Sequence, residues 1–201
     1  METRVYTEEN DIPVAAASLR LGGLVAVPTE TVYGLCANGL DAEAVAHLYE
    51  VKGRPEIKPL SLMVAGPAEI EKYAEHIPPA AFILAARFWP GPLTLVLEAK
   101  KDVPSIVLAG GSTVGLRCPA HRLTLSLLER ARLPLAGPSA NPSGAPSPTR
   151  AQQVLAYFDG QIEGVIDGGE CTLSRESTIL DLTQKPFKIL REGALAKEEI
   201  E

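Results

Sequence analysis

The sequence predicts an α/β fold built on a mixed sheet, and three observations carry the prediction. Short runs rich in β-branched and aliphatic residues, such as LVAVP and TLVLEA, alternate with stretches whose apolar residues recur at helical spacing. Glycine and proline punctuate the joins, with no internal repeat and no low-complexity tract. GVID, STILDLT and FKILRE then follow one another with no helical pattern between them. Parallel neighbours need crossovers, so strands in direct succession predict antiparallel pairs within the sheet.

Taken in order, the first helix is expected after Asn10 or Asp11, with Ile12, Ala15, Ala16 and Leu19 on one face and a stop at Gly22-Gly23, where left-handed geometry costs little. LVAVP follows as a strand. Val45, Leu48 and Tyr49 share one face of a helix over residues 42–51, SLMVA reads as strand, and residues 79–89 form a strongly apolar helix. Trp89-Pro90-Gly91-Pro92 stops that helix, with Trp89 packed inside. TLVLEA and TVGLRCP are strands on either side of a turn at Gly110-Gly111. HRLTLSLLERARL is a helix, PLAGPS a strand entering a loop, and TRAQQVLAYF the helix before the closing strands.

The 201 residues suit one domain, spanning 1–201, with a sizeable core. With 46% hydrophobic and 22% charged residues, composition favours a soluble globular chain over a disordered or membrane-spanning one. METRVYTEEN lacks a basic stretch followed by an apolar run, so a cytoplasmic location is expected. Cys36, Cys118 and Cys171 are odd in number and outside any CxxC spacing, which argues against a disulfide framework and a zinc site. His47, His76 and His121 are scattered, and no HExxH pattern is present, so no dedicated metal site is expected. The net charge of -6 gives no general attraction to nucleic acid; an anionic ligand must be held where Lys and Arg converge.

Four polar segments lie at the ends of predicted strands, where ligands gather on open α/β sheets. They are PTETVYGL (28–35), KGRPEIKPLSLM (52–63), GPSANPSGAPSPT (137–149), and the RESTI and REG sites around Ser177 and Arg191. Each alone has an ordinary structural reading: a strand end with a helix cap, a surface loop, solvated basic side chains. There is no GxxxxGK[ST] or GxGxxG cradle, so a phosphate-bearing ligand would rely on side chains such as Lys52, Arg54, Lys58 and Arg191.

In that order and spacing, PTETVYGL, KGRPxxxPL, PSANPSG, STI and REG resemble the YrdC family over residues 24–193. The resemblance implies a twisted mixed sheet with flanking helices, curved around a concave basic cavity in which ATP and L-threonine bind side by side. Carried over residue by residue, it implies threonine contacts at Thr31, Met63, Arg117, Gly137 and Ser177. It implies ATP contacts at Lys52, Arg54, Lys58, Thr113, Ser139, Asn141, Ser147 and Arg191, with Lys52 and Arg54 bearing most on catalysis. Lys58 and Met63 stand where longer archaeal members carry Asn and His, which argues against a direct polar contact from position 63. The sequence stops shortly after REG, as in the single-domain bacterial form.

The implied reaction joins L-threonine, bicarbonate and ATP into threonylcarbamoyl-AMP and pyrophosphate, for threonylcarbamoyladenosine formation on tRNA. Magnesium is expected to arrive with ATP. Downstream tRNA-modifying transferase proteins are implied as partners, with weak tRNA binding. No residue stands out as the base for the threonine amine; Glu30 lies near, but a carboxylate beside a strand end is more often capping or solvated. Two other readings stay open at this point: a divergent nucleotide- or RNA-binding relative without threonine activity, and a hydrolase built on GPSAN with His121, which lacks the last glycine of GxSxG.

Overall fold

The computed structural model describes residues 2–55 and 57–201; Met1 and Glu56, the latter inside the KGRP-to-PLSLM segment, lie outside the described residues. β1 (Arg4–Tyr6) leads through a short 3-10 turn into α1 (Ile12–Arg20). α1 buries Ile12, Ala15, Ala16 and Leu19, the stripe its spacing predicts. It ends as expected: Gly22 takes φ +87°, its N–H donates to Leu19 O, and the Gly23 N–H donates to Ser18 O, a Schellman closure.

β2 (Val25–Val27) turns through residues 28–33 into β3 (Gly34–Asn38), its antiparallel partner. α2 (Ala42–Lys52) is capped by Asp41, whose carboxylate accepts from the Glu43 and Ala44 N–H groups, and closed by Gly53 at φ +61°. Next come β4 (Ser61–Met63), the short α3 (Ile70–Tyr73), β5 (Ala74–Glu75) and α4 (Pro79–Phe88). β6 (Leu93–Ala99), β7 (Thr113–Arg117), α5 (Arg122–Ala131), β8 (Leu135–Ala136), α6 (Ala151–Phe158) and β9 (Gly164–Ile166) follow. β10 (Thr178–Asp181), β11 (Lys188–Arg191) and α7 (Lys197–Ile200) close the chain.

Among the described residues these eleven strands make one mixed sheet, ordered β1-β9-β2-β3-β8-β4-β7-β6-β10-β11, with β5 added beside β6. Strand alternation sorts side chains to two cores. Leu24, Ala26, Leu35 and Ala37 join α2, α4 and α6 on one face, while Val25, Val27 and Cys36 join α1 and α5 on the other. Trp89 is buried, as expected, and its indole N–H donates to Leu93 O at 2.7 Å. Among the described residues no helix is long and apolar enough to cross a membrane.

The sheet is mixed as predicted, and of the three closing strands β10 and β11 are antiparallel neighbours while β9 lies apart. β9 pairs in parallel with β1 and β2, whereas β10 pairs in parallel with β6 and antiparallel with β11. Residues 167–177, between β9 and β10, therefore pass from one flank of the sheet to the other. β1 and β3 are two strands the sequence pattern does not announce. GLCAN has no β-branched or aromatic residue, and its pairing comes from its place between β2 and β8.

Candidate active site

The cleft of about 200 Å3 near the middle of the sheet is lined by the β2–β3 turn, β4, the end of β7, the segment after β8, and β10 with β11. Its most buried charge is Arg117, the last residue of β7. The guanidinium forms an ion pair with Glu30, donates to the Thr31 hydroxyl at 3.1 Å and to Gly91 O at 3.3 Å. Burial pulls the Arg117 pKa down, and Glu30 opposes that pull. Glu30 also accepts the Ala120 N–H at 2.6 Å, so it is neither a solvated group nor a free base. The turn that presents it has no helix to cap: the Thr29 hydroxyl donates to Val32 O at 2.6 Å, and it lies 2.9 Å from the Thr31 hydroxyl.

On the strands beside β7, the Ser177 hydroxyl, just before β10, lies 2.8 Å from that of Thr94 on β6. Arg191 donates to Ser177 O from two nitrogens, at 3.0 and 2.9 Å, and to its hydroxyl at 3.2 Å. Glu176, next in line, accepts the Ser147 hydroxyl at 2.7 Å, and that bond holds its pKa below the usual carboxylate range.

Arg54 lines the cleft just beyond α2 and donates to Lys58 O at 3.3 Å and Pro59 O at 2.9 Å, bracing the turn that leads into β4. Lys58 itself is exposed. Lys52 stands behind the wall: its buried ammonium donates to Ser139 O and Asn141 O, each at 2.6 Å, and the Asn141 amide ties the following turn to Ala145 O at 2.8 Å. Lys52 thus reaches the cleft through the Ser139–Asn141 backbone it holds.

Burial and the nearby Arg54 charge lower the Lys52 pKa from 10.5 to about 8. A lysine that loses its proton more readily when folded leaves the unfolded chain holding more protons between pH 8 and 10.5, so its contribution to stability rises with pH across that window. Urea midpoints at pH 7.5 and 9.5 test this: the wild type is expected to gain on Lys52→Met at the higher pH, and parallel behaviour of the two proteins would disprove it.

Met63 is buried against two glycines. A Cβ added to Gly137 would lie 2.8 Å from the Met63 Cε, and one added to Gly34 would lie 2.9 Å from it. Gly137→Ala is therefore expected to push the thioether toward the cleft and cost about 1–3 kcal/mol. A urea midpoint restored by adding Met63→Val would trace that cost to this contact.

Of the residues named from sequence, Thr31, Arg54, Met63, Arg117, Gly137, Ser139, Ser177 and Arg191 share this cleft. Lys52, Asn141 and Ser147 support its wall through hydrogen bonds. Thr113 lies four residues before Arg117, on the same face of β7 by strand alternation, with Gly115 between them. Thr94 and Glu176 were missed, and Glu30 was named only as a capping or solvated group. Glu176 sits inside the RESTI segment, but nothing in the sequence marks Thr94 or the pairing of Glu30 with Arg117.

A family model described as "Telomere recombination" and covering Sua5, YciO and YrdC matches residues 17–193. The chain is 50% identical over 201 residues to a threonylcarbamoyl-AMP synthase of Pyrococcus abyssi, covering 100% of this chain and 59% of that protein. It is 46% identical to one of Bacillus subtilis, covering 97% of this chain and 57% of that protein. The chain thus spans somewhat over half the length of these curated relatives. A crystal structure of P. abyssi Sua5 complexed with L-threonine superposes with a TM-score of 0.96 at 49% identity, covering all of this chain and 60% of that one. Escherichia coli YciO, at 23% identity and a TM-score of 0.89, shares the fold over 98% of this chain and 99% of its own. With the motif order, the sheet and these matches in agreement, the chain belongs to the Sua5/YciO/YrdC family.

Proposed function

We propose that the chain is a threonylcarbamoyl-AMP synthase, joining L-threonine, bicarbonate and ATP and releasing pyrophosphate. The observation that carries the reading is the convergence of Arg117, Thr31, Arg54 and Arg191 in one cleft. An arginine fork suits the threonine carboxylate, and the other two suit phosphate oxygens. The names of the P. abyssi and B. subtilis relatives support the same reading.

In this scheme the threonine amine takes up CO2 to form a carbamate, whose oxygen attacks the α-phosphorus while pyrophosphate leaves with its electron pair. Catalysis is mainly positioning and charge stabilisation, because two anions must meet. Arg117 and Thr31 hold the amino acid, Ser177 and Thr94 border it, and Arg54 and Arg191 face the nucleotide. Lys52 keeps Ser139 and Asn141 in place. The mixed anhydride made here is reactive, so a transferase that consumes it on tRNA is the expected partner.

The test is pyrophosphate release from ATP with magnesium, with L-threonine and bicarbonate present together or omitted in turn. Release that requires both supports the synthase. Release from ATP alone would replace it with another nucleotide reaction, and ATP binding without release would favour a binding protein.

A further inference from the structure

We propose that Glu176 is the protein ligand for the magnesium ion that accompanies the nucleotide, so that ATP binding in this cleft depends on the metal. The inference rests on the reading of the cleft as an ATP site.

Three observations lead to it. Glu176 is the one carboxylate residue among the described residues lining the cleft. Its Oε1 accepts the Ser147 hydroxyl at 2.7 Å, which aims the group. Arg191 and Arg175 act on Glu176 by charge, but Arg191 places its three hydrogen bonds on the carbonyl and hydroxyl of Ser177. An ionised carboxylate is thus kept beside the side chains assigned to the nucleotide, Ser147 and Arg191.

In a cleft meant for a polyanion such a group weakens binding to the extent that Arg191 and Arg175 leave its charge uncompensated, and a cation between it and the phosphates removes that penalty. Magnesium fits that position: it takes six oxygen ligands, keeps several waters, and is commonly held by one or two carboxylates together with substrate phosphates. The donor set here is of that kind. Glu176 is one carboxylate, so the phosphates would supply further oxygens. By linkage, whatever factor the metal adds to ATP affinity, ATP adds to metal affinity.

The experiment measures ATP affinity by calorimetry, without threonine or bicarbonate, in magnesium and in EDTA, for the wild type and Glu176→Gln. The amide keeps an acceptor for Ser147 and removes the charge. The wild type is expected to bind ATP more tightly in magnesium, by about tenfold. Glu176→Gln is expected to bind more weakly than wild type in magnesium and more tightly in EDTA, so the order of the two proteins reverses. Equal weakening in both buffers would overturn the proposal and leave Glu176 as a support for the Ser147 loop. Unchanged ATP binding with an altered pH profile for threonine would also overturn it, in favour of a role toward the amine. ATP affinity in the wild type that is the same in both buffers would overturn this inference alone, and no ATP binding in either would overturn the nucleotide site as well. A readout on the unaltered chain is the Mn2+ electron paramagnetic resonance signal: protein added to Mn2+ and ATP is expected to deplete the free-ion signal beyond ATP alone, and no further depletion counts against the proposal.

Discussion

Arg117→Ala is expected to abolish threonine-dependent pyrophosphate release and also to weaken the fold. Arg117 and Glu30 have side chains only 10% exposed, so deleting the arginine leaves a buried carboxylate without its counter-charge, a loss of about 3–5 kcal/mol. The two effects separate in the double variant Glu30→Gln/Arg117→Met. Removing both charges should return most of the stability, because a buried pair often contributes little net energy compared with apolar replacements. Turnover should stay absent, since no guanidinium remains for the threonine carboxylate. Urea denaturation and the pyrophosphate assay on both variants decide this. Activity recovered along with stability would show that Arg117 serves the fold only.

Arg54→Ala has the second-largest expected effect, on activity rather than on folding. The half-buried guanidinium lines the cleft and makes two bonds to the carbonyls of Lys58 and Pro59. Its removal takes a positive charge from the nucleotide side and releases the turn into β4. Loss of one preorganised donor typically costs about 10²–10³-fold in rate, and a loss of that size in kcat/KM is expected here with a near-normal urea midpoint. Arg54→Lys should recover only part of it, because a lysine keeps the charge but cannot reproduce the planar fork. Turnover within a factor of about two of wild type in Arg54→Ala would remove this residue from the nucleotide site.

The helices were legible because their apolar stripes are the direct signature of burial on one face: Ile12, Ala15, Ala16 and Leu19 are all buried in α1, and Val45, Leu48 and Tyr49 in α2. β3 was not, since Gly34, Cys36 and Ala37 have no strand preference of their own and are held by neighbours distant in sequence. Much of the site was legible through motif order, which brings Thr31, Arg54, Arg117, Ser139, Ser177 and Arg191 to one cleft. What the motifs leave out is the wiring between them. Lys52 looks like a phosphate ligand in KGRP, yet its ammonium is spent on the carbonyls of Ser139 and Asn141. Glu30 looks solvated in PTET, yet it meets an arginine 87 positions away. Such pairings depend on strand order, which local spacing does not encode.

The segment from Ile166 to Thr178 joins strands separated by seven steps across the sheet. In a flat sheet seven steps span about 34 Å, whereas twelve residue-to-residue links reach at most about 42 Å when fully stretched. This stretch is not fully stretched, because Gly169 and Ser174 turn at φ +82° and +52°. It also stops on the way: Cys171 N–H bonds to Thr149 O, and Leu173 N–H to Glu30 O, each at 2.9 Å. The segment is thus a tether between β9 and β10, each one strand in from an edge of the sheet. A stretch with no regular strand or helix therefore links the two halves of the sheet, and it touches the Glu30 carbonyl on its way.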